Sequence, residues 1–231
     1  MVRVHHSWLA ARERRLLIRL AARMPGWIKP DYLTVVGCAG ALVAGLAYAA
    51  TGLSPRYLWL ASLGLIVNWF GDSLDGTLAR HRGIERPRYG FFVDHTTDVA
   101  SQAFIFLGLG ASQCMRFDIA CLALMSYWIA ALYTFIRALA TGIFQISYGG
   151  IGPTEIRLGL IAYNLAFLAV GPVTFATPFG PATPLDAICA VIFVVVFGAF
   201  LTLIVLQGRR LARVDAAGDA PVDRPAPGII C

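Results

Sequence analysis

The feature that most constrains this chain is a series of apolar stretches about 20 residues long, each sufficient to cross a hydrocarbon core of roughly 30 Å. Six are readable, at residues 32–50, 57–80, 90–113, 118–144, 156–177 and 185–207. Backbone amides inside lipid must be satisfied within the segment, so each stretch predicts a helix. Turn-forming residues separate most of them: Gly52 and Pro55, Arg86 and Pro87, Gly149 to Pro153, and Pro178 to Pro184. Composition points the same way. With 58% apolar and only 14% charged residues, a chain this small cannot cover a water-facing surface with polar groups. A soluble nucleotide-binding enzyme, a disulfide-stapled secreted module and a disordered tail protein are excluded. The five cysteines form no CxxC pair and mostly lie in apolar runs, where they act as small hydrophobes.

The predicted fold is therefore all-α, a polytopic membrane protein of six transmembrane helices preceded by an N-terminal amphipathic interfacial helix. Residues 1–30 are expected to hold that cytoplasmic juxtamembrane helix, 31–208 the six-helix domain, and 209–231 a disordered cytoplasmic tail. Over residues 3–24, Leu9, Leu16, Leu17, Leu20 and Met24 make one stripe, and Arg12, Arg15, Arg19 and Arg23 another. Such a helix lies in the headgroup region with its arginines toward anionic phosphates; the alternative is packing on a protein partner. No cleaved signal peptide is expected. Of the 19 Lys and Arg residues, only Arg56 and Arg116 fall on the first, third and fifth connections. The positive-inside rule then predicts cytoplasmic termini. The basic balance reflects topology and lipid contact, and nucleic-acid binding is not indicated.

Acids inside membrane spans are costly and mark function by default. Asp72 and Asp75 lie on the second span, three residues apart, and Asp94 and Asp98 on the third, four apart. Each pair shares a helix face. The connection between these spans is short, which predicts an antiparallel hairpin that brings all four carboxylates to one shallow cytoplasmic pocket. Four clustered carboxylates must hold protons or cations, and an all-oxygen set favours Mg²⁺, Mn²⁺ or Ca²⁺. Two divalent ions would balance the charge, an arrangement suited to phosphate chemistry. Gly76, Ala79 and Gly90 strip side chains from the wall beside the acids, as a ligand pressed against backbone requires. Gly37, Ala41 and Gly45 on the first span read instead as helix–helix contacts.

The pattern Asp72-x2-Asp75-Gly76-x2-Ala79-Arg80-x9-Gly90-x3-Asp94-x3-Asp98 resembles the defining motif of the CDP-alcohol phosphotransferases, the CDP-alcohol phosphatidyltransferase family. The Arg80–Gly90 spacer is one residue longer than the family pattern, in a loop tolerant of length. The resemblance implies a Mg²⁺- or Mn²⁺-dependent transfer in phospholipid or sphingolipid synthesis. The hydroxyl of an acceptor attacks the β-phosphate of a CDP-linked donor, and CMP leaves. One substrate is a lipid. By the same resemblance Asp72, Asp75, Asp94 and Asp98 hold two metal ions, Asp98 is also the general base, and Gly76, Ala79, Arg80 and Gly90 line the CDP pocket. A homodimer is implied as well, while the single-block topology suits a bacterial inner membrane and the distribution of basic residues a cytoplasmic active site.

His95 beside Asp94 either shares in proton removal or is merely oriented by its neighbours. The Asp94–His95 pair and the Gly152-Pro153-Thr154-Glu155 run resemble the choline/ethanolamine phosphotransferase branch, which favours a CDP-aminoalcohol donor with a lipid alcohol acceptor. The alternative is CDP-diacylglycerol with glycerol phosphate, inositol phosphate or serine. Arg137, Arg157 and Glu155 are candidates for contact with a substrate phosphate, while snorkelling of the two arginines is the alternative. A cation transporter using the acids as its ion path is a remote alternative, since transport needs acids near midplane with access from both sides.

Overall fold

The computed structural model describes residues 2–4, 10–141, 143–145 and 152–216. Seven helices dominate these residues: α1 (Ala10–Arg23), α2 (Pro30–Ala49), α3 (Tyr57–Arg82), α4 (Pro87–Gly110), α5 (Phe117–Thr141), α6 (Pro153–Val170) and α7 (Pro184–Ala216). Pro30, Pro87 and Pro153 each open a helix, where a missing N–H costs nothing. Gly83 closes α3 in the left-handed conformation at φ +63°, and the Ile84 N–H returns to the Ala79 carbonyl in the manner of a glycine C-cap.

Helices α2, with its following turn (Pro30–Gly52), α5 and α7 are long and apolar enough to cross a membrane. Helices α3 and α4 carry the charged residues of the motif instead, and α6 carries Glu155 and Arg157, which lowers their hydropathy. Most of α7 turns large apolar side chains outward, among them Val191, Val194, Val195 and Leu206, a surface suited to lipid rather than water.

Several boundaries differ from the sequence reading. The N-terminal helix begins at Ala10, and Val2–Val4 instead pairs in parallel with Ile143–Gln145; Leu9 lies outside the described residues. Helix α5 ends at Thr141 and α6 at Val170, where Gly171 adopts φ +85° ahead of Pro172 and blocks further helix. A short antiparallel hairpin, Phe175–Thr177 with Gly180–Ala182, fills the connection. Helix α7 runs on to Ala216, so residues 209–216 are helical and not part of a disordered tail; good helix formers such as Arg, Leu and Ala carry it there. Residues 217–231 lie outside the described set.

Helices α3 and α4 are not the packed hairpin that their short connection predicts. They touch each other only sparsely, while α2 packs closely against both. The reason is α2's small residues. A Cβ added at Gly40 would stand 2.6 Å from the Asn68 main-chain nitrogen, and one at Gly64 2.7 Å from that of Ala44. On the other side Gly45 meets the Phe104 main chain, and Gly108 meets the backbone of Gly45. Ala41 is fully buried. Close approach of this kind is how small residues bind membrane helices together, and it wedges α2 between the two that follow it.

Helix α1 packs on its own bundle. Leu17 and Ala21 are buried in a cluster with Leu33, Leu74 and Leu78, so this part of its apolar stripe faces protein. Leu16 and Ile18 stay exposed. Deeper in the bundle, the Asn164 side-chain amide donates to Tyr48 Oη at 2.9 Å and Ser62 Oγ at 3.0 Å, linking α6 to α2 and α3.

Candidate active site

Asp75 and Asp98 each lie within electrostatic reach of Asp72 and Asp94, where α3 and α4 separate. Helix α4 touches α2 at its deeper half, around Phe104 and Gly108, whereas a Cβ on Gly90 would have nothing within 4 Å. The pair thus opens toward the end that carries the acids. Asp72 accepts a hydrogen bond from Arg157 of α6 at 2.7 Å, with both side chains largely shielded from water. Asp75, buried, accepts from Thr34 Oγ1 of α2 at 2.6 Å. The acids at i and i+3 share a face, yet they reach different neighbouring helices. Asp98 lies within electrostatic reach of Asp72, Asp94 and Arg157, and within hydrogen-bonding reach of Asp72. Asp75 feels the charges of Asp94 and Asp72. Asp94 is the most open of the four, its side chain 47% exposed.

The donor set suits a hard divalent cation: four carboxylates gathered near one opening offer the all-oxygen ligands that Mg²⁺ or Mn²⁺ prefers. Among the described residues, no three acid, imidazole or thiol groups stand at mutual ligating distance. Asp72 and Asp75 are instead turned to Arg157 and Thr34.

The wall of the opening is lean. A Cβ at Gly76 would meet only the Arg80 guanidinium, at 3.3 Å, and Gly90 is exposed. Helix packing therefore accounts for neither glycine, in contrast to Gly37 and Gly45. Arg80 lies over Gly76 and donates to Thr77 Oγ1 at 3.3 Å. Ala79 is half-buried one turn on. Beneath Asp98 a small cavity is lined by Asn68, Ser101, Gln102, Tyr127 and Arg157. Within it Asn68 Oδ1 and Gln102 Oε1 are buried without a donor among the described residues. Both are acceptors that suit a hydroxyl.

His95 Nδ1 lies 2.8 Å from the Phe91 carbonyl oxygen and 3.7 Å from Asp94 Oδ2. Its ring stacks on Phe91 and meets the edge of Phe135, so aromatic neighbours orient it toward α5. Arg137 of α5 has its Nε buried. Glu155 accepts from the Gly152 N–H at 2.9 Å, capping its own helix. The Gly152–Glu155 run is a helix start, and a capping role suffices to explain it. Arg157 does not snorkel, because Asp72 holds it.

Sequence reasoning passed over Thr34 and Glu13. Thr34 carries no signal of its own, as threonine on a membrane helix commonly bonds its own backbone. Glu13 sits among arginines on α1 and reads as a charged-face residue.

The sequence profile of the CDP-alcohol phosphatidyltransferase family matches residues 27–204. A phosphatidylinositol phosphate synthase of Cutibacterium acnes is 31% identical over 150 residues, covering 62% of this chain and 69% of that protein. An archaetidylinositol phosphate synthase of Pyrococcus horikoshii is 31% identical over 122 residues, 53% of this chain and 61% of that protein. An uncharacterised Aquifex aeolicus protein is 32% identical over 157 residues, covering 62% and 76% of the two chains.

Proposed function

The chain belongs to the CDP-alcohol phosphatidyltransferase family, and from that premise we propose that it transfers a phosphatidyl-type group from a CDP-linked lipid to a hydroxyl of a small phosphorylated polyol, releasing CMP. The acceptor is an inositol phosphate or a close relative. The two named relatives differ in their lipid, phosphatidyl in one and archaetidyl in the other, and share inositol phosphate. A constant acceptor with a variable lipid supports a CDP-lipid donor. The choice of a CDP-aminoalcohol donor with a lipid alcohol acceptor is revised accordingly, since its support came from His95 and from a run now explained by helix capping. Family membership makes the chain an enzyme, which displaces the transporter reading.

The observation that carries this reading is the convergence of Asp72, Asp75, Asp94 and Asp98 on one opening, walled by Gly76 and Gly90, with Arg157 across it. Asp72, Asp75, Asp94 and Asp98 would hold two Mg²⁺ or Mn²⁺ ions, whose charge would offset that of the diphosphate and of the departing CMP. Gly76, Ala79 and Gly90 leave room for the cytidine diphosphate against bare backbone, with Arg80 over its rim. Asp98 takes the proton from the acceptor hydroxyl as that oxygen bonds to the β-phosphorus; the bridging P–O bond breaks, and its electrons leave with CMP. Asn68 Oδ1 and Gln102 Oε1 sit beside Asp98 as acceptors for further hydroxyls. Arg157 binds a substrate phosphate in exchange for its bond to Asp72. His95, held by Phe91 and Phe135 beside Asp94, either shares in proton removal or is only oriented by its neighbours.

We read all six long helices, α2 to α7, as spanning the membrane, with the termini and the opening on the cytoplasmic side of a bacterial inner membrane, and the enzyme as a homodimer. The unequal distribution of basic residues supports that orientation. The test is CMP release by purified protein, with CDP-diacylglycerol, CDP-choline and CDP-ethanolamine each crossed with inositol phosphate, glycerol phosphate, serine and diacylglycerol. CDP-diacylglycerol with a polyol phosphate should be turned over. Release only from a CDP-aminoalcohol with diacylglycerol would overturn the assignment.

A further inference from the structure

Glu13 is the one acid of α1's first turns, flanked by the exposed Arg12, Arg14 and Arg15. Its side chain nevertheless points into the bundle. Oε1 accepts from Trp69 Nε1 of α3 at 2.7 Å and from Thr154 Oγ1 of α6 at 2.8 Å, with Ser73 Oγ of α3 at 3.5 Å. One carboxylate thus gathers donors from two helices that are otherwise separate along the chain. Trp69 and Ser73 are one turn apart, and Ser73 adjoins Asp72. Thr154 precedes Arg157 by three residues, on the same face of α6. The seam between α3 and α6 therefore carries two neighbouring ties, Glu13 at one and the Arg157–Asp72 ion pair at the other.

Helix α1 is anchored well enough to transmit position. At its far end the Arg82 guanidinium donates to the carbonyls of Ile28 at 2.6 Å, Pro25 at 2.8 Å and Met24 at 3.1 Å. Between the ends, Leu17 and Ala21 are buried against Leu74 and Leu78. A helix pinned at both ends and packed between them acts as a strut.

We infer that Glu13 is a positioning residue: through Trp69 and Thr154 it sets the spacing of α3 and α6 at which Arg157 reaches Asp72 and is presented to the phosphate-bearing substrate. The inference rests on the proposed transferase reading for the role of Arg157, but the seam itself can be measured without turnover. Without the carboxylate, Thr154 loses its acceptor, the first turn of α6 is freed from α3, and Arg157 loses its fixed origin.

The experiment uses full-length protein in lipid nanodiscs, with Glu13→Ala, Glu13→Gln, Thr154→Val and the Glu13→Ala/Thr154→Val pair. Glu13→Gln keeps an oxygen acceptor at the same place. Glu13→Ala should raise KM for the polyol phosphate about tenfold, the low end of what outer partners of a site contribute, with a smaller change in kcat. Thr154→Val should do the same, the pair should be no worse than either alone, and Glu13→Gln should return KM to within about twofold. Independently of activity, spin labels at the exposed positions Ile66 and Leu158, introduced as cysteines in a cysteine-free background, should give a broader distance distribution in Glu13→Ala and a native one in Glu13→Gln. An unchanged distance in Glu13→Ala overturns the inference. So does a lower kcat at constant KM, or multiplicative effects in the pair. A broadened distance in a protein whose unmutated form releases no CMP would leave the strut standing and remove the transferase reading instead.

Discussion

Replacing Gly40 and Gly76 by alanine, one at a time, should separate helix packing from ligand binding within α2 and α3. A Cβ at Gly40 would stand 2.6 Å from the Asn68 nitrogen and 2.9 Å from the Gly64 carbonyl oxygen. Non-bonded atoms settle near 3.5 Å, so the two backbones must part by roughly 0.9 Å. That stretches the bond from Asn68 Nδ2 to the Gly37 carbonyl, now 3.0 Å, past its limit and draws Thr34 away from Asp75. Overpacking costs about 1–3 kcal/mol and a lost interhelical bond in a membrane about 0.6 kcal/mol. Alanine's better helix propensity returns about 1 kcal/mol. The net loss is about 0.6–2.6 kcal/mol, which lowers Tm by roughly 1–10 °C in a protein of this size. At Gly76 the new Cβ meets only the flexible end of Arg80, at 3.3 Å, so Tm should hold or rise by a few degrees. KM for the CDP-linked donor should nonetheless rise tenfold or more, because the methyl fills the wall. Thermal unfolding in detergent and CMP release measure the two effects. If Gly76→Ala unfolded as early as Gly40→Ala, or bound the donor normally, Gly76 would be a packing residue and the wall would lie elsewhere.

Asp98→Asn should remove turnover by at least a thousandfold while leaving Tm within a few degrees, since the base is lost and the helix contacts are not; near-normal CMP release would transfer the base role to another group. EDTA should stop the reaction, and Mg²⁺ or Mn²⁺ should restore it; a rate indifferent to chelation would refute the metal role of the aspartates. Arg157→Gln should raise KM for the phosphate-bearing acceptor by about tenfold or more, the scale of one charge-assisted contact, and an unchanged KM would show that Arg157 serves Asp72 alone. Asn164→Leu, at a fully buried position bonded to Tyr48 and Ser62, should lower stability by about 1–2 kcal/mol with KM unaltered, as thermal unfolding and kinetics together would show.

Much of this arrangement was legible in the sequence because it depends on short-range periodicity. Apolar runs of membrane length give helix positions to within a few residues, and prolines and glycines give most of the ends. The pairing of Asp72 with Asp75 and of Asp94 with Asp98 follows from three- and four-residue spacing alone. The contact role of Gly37, Ala41 and Gly45 is legible for the same reason, as a small-residue stripe at helical spacing. A short connection between two helices predicts that they pack together, yet α2 lies between α3 and α4, because its glycines admit their backbones more closely than α3 and α4 admit each other. The Ala-, Asp- and Pro-rich composition of the C-terminal residues reads as tail, whereas α7 extends to Ala216.

The sequence by itself determined that this chain is helical, apolar in membrane-length pieces, and furnished with four aspartates on two consecutive helices beside small residues. These are properties of single helices, set by backbone geometry and side-chain spacing. Only the tertiary structure decided which helix each acid faces: Thr34 on Asp75, Arg157 on Asp72, and Glu13 bridging Trp69 and Thr154. Those partners lie between 41 and 141 residues apart. Their meeting depends on the rotation and crossing of whole helices, which close-packed glycines set and which no local pattern records.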